Sequence, residues 1–302
     1  MSKIEITPRG PFSLAAARDF AGGFPAGIGG GGVGPGSITL AFPVEARDES
    51  AAIELWQGDD GVVRGRSDAD GDTLTAAIRH AERSLSLDHD GTGWPAVGER
   101  DPIVGQFQVE HDYLRPVCFY SAYEAVTSFV IGQRISRRQS AVIKGDLAER
   151  FGDRPTIAGV AVPAFPRPAR LLELREARGL NAEKIRRLHA LAQAALDGRL
   201  DTEVLRAMPA EEALARLREL PGVGPFTADA VLYRGCGVVD GIPASDELGQ
   251  TVIRDLYALP TVTGADVVRI SDAWRPYRMW AVVLLRMGWT RGQASKVSYR
   301  RS

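Results

Sequence analysis

Residues 220–228 read Leu220-Pro221-Gly222-Val223-Gly224-Pro225-Phe226-Thr227-Ala228, a glycine turn clamped between two stretches of helical periodicity. No other feature restricts the fold as tightly. Gly222 and Gly224 bracket Val223 and allow backbone angles that L-residues resist. Pro225 suits the first position of a helix, where its missing N–H removes no hydrogen bond. Helices over residues 211–220 and 225–234 must therefore meet at a sharp corner. The N–H groups of Val223, Gly224 and Thr227 are expected to converge near the second helix's N-terminus, which favours an anion. Gly-x-Gly alone would also suit an ordinary corner with no ligand. The flanking Leu-Pro and Pro-Phe-Thr-Ala favour the anion-binding reading.

The first 88 residues pattern as mixed α/β. Residues 4–7, 37–45, 51–57 and 62–66 read as strands, and 13–20 and 74–87 as helices. A glycine tract between Gly22 and Gly36 contains Gly27-x-Gly29-x-x-Gly32. A dinucleotide site would need a strand before it and a helix after it, and here the order is reversed, so the tract reads as a flexible loop. Residues 88–105 are rich in Asp, Gly and Pro and read as a connector. Beyond them the chain turns helical. Ser121-Ala122-Tyr123-Glu124 has the form of a capping box, and helices are expected over 139–151, 169–178, 182–196, 211–220, 225–234, 247–256 and 275–287. The fold class is mainly α with an N-terminal α/β domain containing an antiparallel sheet. The domains expected are 1–88 and a helical region 89–302.

With 302 residues, 44% hydrophobic and 25% charged, the chain is ordinary globular protein. No signal core or membrane span is visible, and Cys118 and Cys236 make no metal-binding spacing. A cytoplasmic location follows as an expectation, as does a monomer with no membrane partner. The net charge of −1 hides an asymmetry. Residues 1–110 carry 9 Lys/Arg against 17 Asp/Glu, and residues 111–302 carry 28 against 21. Phosphate binding needs local positive potential rather than a basic whole.

Asp246 lies twenty positions past Phe226, directly before a helical run. Its plainest role is an N-cap, worth about 1 kcal/mol of helix stability. A second role comes with a resemblance. The residues Leu220-Pro-Gly-Val-Gly224 with Thr227-Ala228, then Leu232-Tyr-Arg-Gly235, then Ser245-Asp246-Glu247-Leu248 resemble the helix-hairpin-helix DNA glycosylase superfamily. Within it they are similar to the DNA-3-methyladenine glycosylase II branch. Ile131-Gly132-Gln133-Arg134-Ile135-Ser136, the Pro-rich stretch from Pro163 to Gly198, and Trp274-Arg275-Pro276-Tyr277-Arg278 resemble further family segments in the same order. Together they cover about residues 110–290.

The resemblance implies two helical lobes around a cleft and double-stranded DNA containing damaged bases as partner, with a nucleoid association when bound. It places Asp246 at the catalytic aspartate, opening onto the cleft. A fixed carboxylate there stabilises the positive charge that builds on deoxyribose as the sugar–base bond breaks. Asp240 is a poorer candidate. Gln133, Arg134 and Ile135 would probe the base stack, although they could merely join two helices. Gly222, Val223, Gly224 and Thr227 would hold phosphate. Arg134, Arg137, Arg138 and Lys144 could add phosphate contacts or form a solvated face. Phe226, Tyr277 and Trp280 would lie near the base pocket, whose aromatic faces attract cationic alkylated bases.

Departures from the family pattern matter. Ala230 and Arg286 stand where pocket aromatics are usual, and Arg134 where a leucine wedge is common. The residue after the hairpin is Phe226, not the lysine of glycosylases that also nick the backbone, so no lyase activity is expected. Scattered histidines and two cysteines suggest neither catalytic metal nor iron–sulfur cluster. The resemblance does imply a monovalent cation, Na+ or K+, on the backbone carbonyls of Arg218, Leu220 and Val223. The leading expectation is a monofunctional glycosylase for alkylated purines. Its rivals are a glycosylase for oxidised or deaminated bases and a non-catalytic DNA-binding protein.

Overall fold

The structure, a computed structural model, describes residues 1–22, 34–243 and 246–299, with side chains through residue 292. The Gly27-x-Gly29-x-x-Gly32 pattern and Ser245 lie outside the described residues. In chain order the elements are β1 (Ser2–Ile6), α1 (Leu14–Gly22), β2 (Ile38–Pro43), β3 (Ser50–Gln57), β4 (Val63–Ser67), α2 (Gly71–Ser84), α3 (Trp94–Arg100), α4 (Pro102–Glu110), α5 (Ala122–Gly132) and α6 (Arg137–Phe151). They continue with β5 (Thr156–Ile157), β6 (Val160–Ala161), α7 (Pro168–Leu171), α8 (Ala182–Leu196), α9 (Thr202–Ala207), α10 (Ala210–Arg218), α11 (Pro225–Arg234), α12 (Glu247–Leu256), α13 (Gly264–Ser271), a 3-10 turn (Asp272–Trp274) and α14 (Arg278–Tyr299). The protein is mostly helical with a small antiparallel sheet.

Two compact units divide the chain. The first comprises Met1–Pro8, Leu14–His89 and Val117–Gly237. The second comprises Arg9–Ser13, Asp90–Pro116 and Val238–Ser302. The chain leaves the first unit at His89 and returns to it at Val117. The N-terminal sheet and helices α5–α11 thus share one unit.

In the first unit, the sheet runs β1-β4-β3-β2 with every pairing antiparallel. Strand β2, Ile-Thr-Leu-Ala-Phe-Pro, is buried along its whole length. An unalternating apolar run of this kind belongs to a strand covered on both faces. Helix α2 buries Ala77, His80 and Ala81. The His80 ring stacks on Phe42 with centroids 5.1 Å apart. Burial pushes the imidazole down to about 3, so it stays neutral at physiological pH.

The connector expected over 88–105 is instead a helix pair in the second unit. Asp101 caps α4, its carboxylate accepting from the N–H of Ile103 at 3.1 Å and of Val104 at 3.4 Å. Gly98 and Gly105 permit a close crossing, since a Cβ on Gly98 would sit 2.6 Å from the Gly105 Cα. Glycines that read as helix breakers are here contact points between helices. The helix expected over 169–178 shrinks to the single turn α7, after which i→i+3 bonds from Glu173 and Leu174 wind the chain off the helical path. The capping box at Ser121 forms only by half. Ser121 Oγ accepts the Glu124 N–H at 3.1 Å, but Glu124 turns inward to Lys144, 3.3 Å away. A reciprocal box occurs fifteen residues later, at Ser136 and Gln139. Among the described residues no helix is long and apolar enough to cross a membrane.

Candidate active site and nucleic-acid interface

The hairpin joins α10 to α11 within the first unit. Gly222 has φ of 82°, a backbone that L side chains rarely adopt. Gly224 does not: with φ −90° and ψ −179° it is extended and any residue could follow that path. Nothing lies within 4 Å of where a Cβ on Gly224 would point. The absence of a side chain at 224 therefore serves neither the turn nor internal packing, and it leaves clear space beside the start of α11. The anion site is also narrower than the spacing predicts. Val223 N–H donates to Leu220 O at 3.1 Å, so this amide is spent inside the turn. The first bond closing the helix is Ala228 N–H to Gly224 O at 2.9 Å. The amides of Phe226 and Thr227 precede it and point out of the helix end. Leu220 O, one of the carbonyls named for a cation along with those of Arg218 and Val223, already accepts that Val223 N–H and keeps one further lone pair.

Gln133 reaches this turn. Its Nε2 donates to Gly222 O at 2.8 Å, and its Oε1 accepts from Arg187 Nη1 at 3.0 Å. Next to it, Arg134 is exposed with φ of 60°, and Ile135 is half-buried. Arg137 and Arg138 are exposed on the first turn of α6. Lys144 is not available to phosphate. It is buried against Glu124, where burial pushes its ammonium down and the Glu124 carboxyl up. The apolar face of α6 turns it inward, a direction that the solvated-face pattern did not reveal.

Asp246 opens α12 in the second unit. Oδ1 accepts the Leu248 N–H at 3.2 Å, so the residue does cap the helix. Oδ2 accepts from Arg286 Nη1 at 3.0 Å. The side chain is only 8% exposed, against 31% for Arg286. The expected open carboxylate is thus covered, with a guanidinium on Oδ2. A Cβ on Gly249 would lie 3.3 Å from Oδ2, so the glycine one turn on makes room for the carboxylate. Arg286 also lines an apolar pocket with Ile242, Pro243, Val252, Val267 and Leu285. Asp240 is occupied elsewhere, gripped by Arg275 at 2.7 Å and Arg278 at 2.6 Å.

The pocket aromatics divide. Phe226 is 48% exposed, with Phe129 edge-on at 6.0 Å, and Ala230 is half-buried on the same helix. Tyr277 and Trp280 are buried in the second unit and do not offer open faces. Tyr277 donates its hydroxyl to Asp90 O at 2.7 Å. Trp280 has Trp94 edge-on at 5.6 Å and the Arg115 guanidinium 5.1 Å from its ring. Their apolar bulk is absorbed by packing. Lys184 and Arg187, one turn apart on α8, escaped the sequence reading because basic residues on an amphipathic helix look like a solvated face. Among the described residues, no three His, Cys, Asp or Glu side chains are grouped to hold a metal ion.

No family model matches the chain. Several curated proteins are similar to it in sequence. The DNA-3-methyladenine glycosylase of Bacillus subtilis is 25% identical over 217 residues, covering 69% of this chain and 70% of the relative. DNA-3-methyladenine glycosylase 2 of Escherichia coli is 29% identical over 175 residues, 57% of this chain and 58% of the relative. The chain thus spans less than two thirds of this second relative. A solved 3-methyladenine DNA glycosylase from Archaeoglobus fulgidus superposes with a TM-score of 0.77 at 19% identity, covering 95% of this chain and 97% of that one. The superposition speaks to fold and the aligned sequences to descent. The chain thus has the helix-hairpin-helix glycosylase fold and is similar in sequence to DNA-3-methyladenine glycosylases.

Proposed function

We propose that the protein is a monofunctional DNA glycosylase that removes alkylated purines from double-stranded DNA and so begins base excision repair. The observation that carries this reading is Asp246, a carboxylate fixed between a main-chain N–H and a guanidinium and almost wholly shielded from water. A helix cap alone requires neither the shielding nor the second partner. Extruding the target nucleotide costs a few kcal/mol, least for a damaged base. As the C1′–N bond breaks, positive charge develops on the sugar, and a preorganised carboxylate stabilises it in a dry site. The same group can position water and take its proton as the oxygen bonds to C1′, while the electron pair of the broken bond leaves with the base. The hairpin would grip the backbone through the Gly224, Phe226 and Thr227 amides.

The product would be an abasic site with the strand intact. Phe226 cannot form a Schiff base, Lys144 is committed to Glu124, and Lys184 donates to the carbonyls of Ile131 and Gln133. DNA treated with a methylating agent should release free methylated purine and show no strand breaks before alkali. Release of only oxidised or deaminated bases would move the protein to that lesion class. Release of none would leave a DNA-binding protein. The hairpin has its own test. Gly224→Ala should leave thermal unfolding unchanged, since the backbone and the space both admit a methyl group. It should weaken DNA binding about tenfold by impeding charge-assisted hydrogen bonds to phosphate. Unchanged binding would remove the turn from the DNA contact.

A further inference from the structure

Helix α8 sends two basic side chains to the same place. Lys184 Nζ donates to Ile131 O at 2.7 Å and to Gln133 O at 2.8 Å, satisfying carbonyls at the C-terminus of α5. One turn further, Arg187 Nε is held by Glu183 at 2.8 Å and Nη1 donates to the side-chain oxygen of Gln133 at 3.0 Å. The Gln133 amide then has one orientation only. Arg187 can only donate and Gly222 O can only accept, so Oε1 must face the first and Nε2 the second. The Arg187 stem also lies against the hairpin, its Cδ 2.9 Å from where a Cβ on Gly222 would sit. One polar strut therefore ties α8 to two turns at once, the α5–α6 turn and the hairpin.

The strut ends beside Arg134, whose φ of 60° puts an L-residue in the left-handed region and leaves its side chain exposed. A turn of that kind persists only where its surroundings hold it. We infer that Arg187, acting through Gln133, is a positioning residue that fixes the Arg134 turn at a set distance from the phosphate-gripping hairpin. This rests on the glycosylase reading. There, Arg134 fills the gap left by an extruded base while the hairpin holds the backbone, and both must act on one stretch of DNA. In this role Arg187 and Lys184 act through their contacts with Gln133 and Ile131 and need not touch the substrate.

The test compares two DNA substrates in single-turnover release assays. One carries a methylated purine in a paired duplex; the other carries the same lesion in an unpaired bulge, where unstacking is largely done already. Arg187→Ala should slow release from the paired duplex about tenfold, because small misplacements of positioning groups are costly. Release from the bulge should change less than about twofold. Arg187→Lys should recover part of the loss, since an ammonium can still donate to Gln133. Arg187→Ala combined with Gln133→Ala should be no worse than Gln133→Ala alone, the mark of two residues acting as one. An equal loss on both substrates, or none on either, overturns the inference while leaving the glycosylase reading intact. Wild-type protein that releases base from neither substrate overturns both.

Discussion

Asp246→Asn protein is expected to fold, to bind DNA and to release no measurable base. Asparagine is as good an N-cap as aspartate, and its side-chain oxygen can still accept the Leu248 N–H now found at 3.2 Å. Thermal unfolding should therefore shift little. What disappears is the negative charge facing the developing cation on deoxyribose. Removing one preorganised electrostatic group costs about 10²–10³ in rate where the group is a neutral donor. Here a full charge is lost from a shielded position, so release should fall by at least about 10³-fold. Binding to DNA with an uncleavable abasic analogue should persist or tighten, since a repelling carboxylate is gone. Arg286 loses the carboxylate charge opposite Nη1, but it is 31% exposed and can be solvated. Rate measurements on Asp246→Asn with Arg286→Gln added would show whether the guanidinium contributes to the defect. A single variant that still releases base at a tenth of the wild-type rate would make Asp246 a cap and nothing more.

Much of this machinery was legible because it is local. Pro225 and Gly222 fix a helix start and a turn from within a few residues, and α8, α11 and α12 begin and end where capping and periodicity place them. Asp246 was legible as an N-cap, and the catalytic role proposed for it asks for the same residue type before the same helix. The sheet also followed from short apolar runs.

Contacts between distant segments were not legible. Gly98 and Gly105 look like breaks until the two helices are seen to cross at them. Glu124 has the spacing of a capping box, yet a buried Lys144 twenty residues on draws it away. Gly224 shares its residue type with Gly222 but not its conformation. Only the backbone angles show that one glycine serves the turn and the other leaves space. The residues around Tyr277 and Trp280 in the sequence do not distinguish an open ring from one covered by Trp94 and Arg115. The pairing of Arg286 with Asp246 spans forty residues, and no local pattern signals it.

That pairing should govern which bases leave. Purines methylated at N3 or N7 carry a positive charge while attached to the sugar, whereas hypoxanthine and ethenoadenine are neutral. Arg286 Nη1 is 3.0 Å from the carboxylate proposed to face the reacting bond, so a base bound there would lie within several ångströms of a fixed cation. A unit charge about 6 Å away at an effective dielectric of about 20 is worth about 3 kcal/mol. Partial exposure of the guanidinium screens part of that. Arg286→Leu keeps apolar bulk beside Ile242, Val252 and Leu285 and removes the charge. The ratio of release rates, cationic over neutral lesions, should rise about ten- to hundredfold, since each 1.4 kcal/mol is a factor of ten. Absolute rates are a separate matter, because the variant also leaves Oδ2 without its partner and can misplace the carboxylate. Taking the ratio cancels that common loss. Rising salt should shrink the wild-type discrimination only slightly, because a partly buried pair is poorly screened. A ratio that stays constant while both rates fall would reduce Arg286 to a clamp on Asp246 and leave base selection to the shape of the pocket.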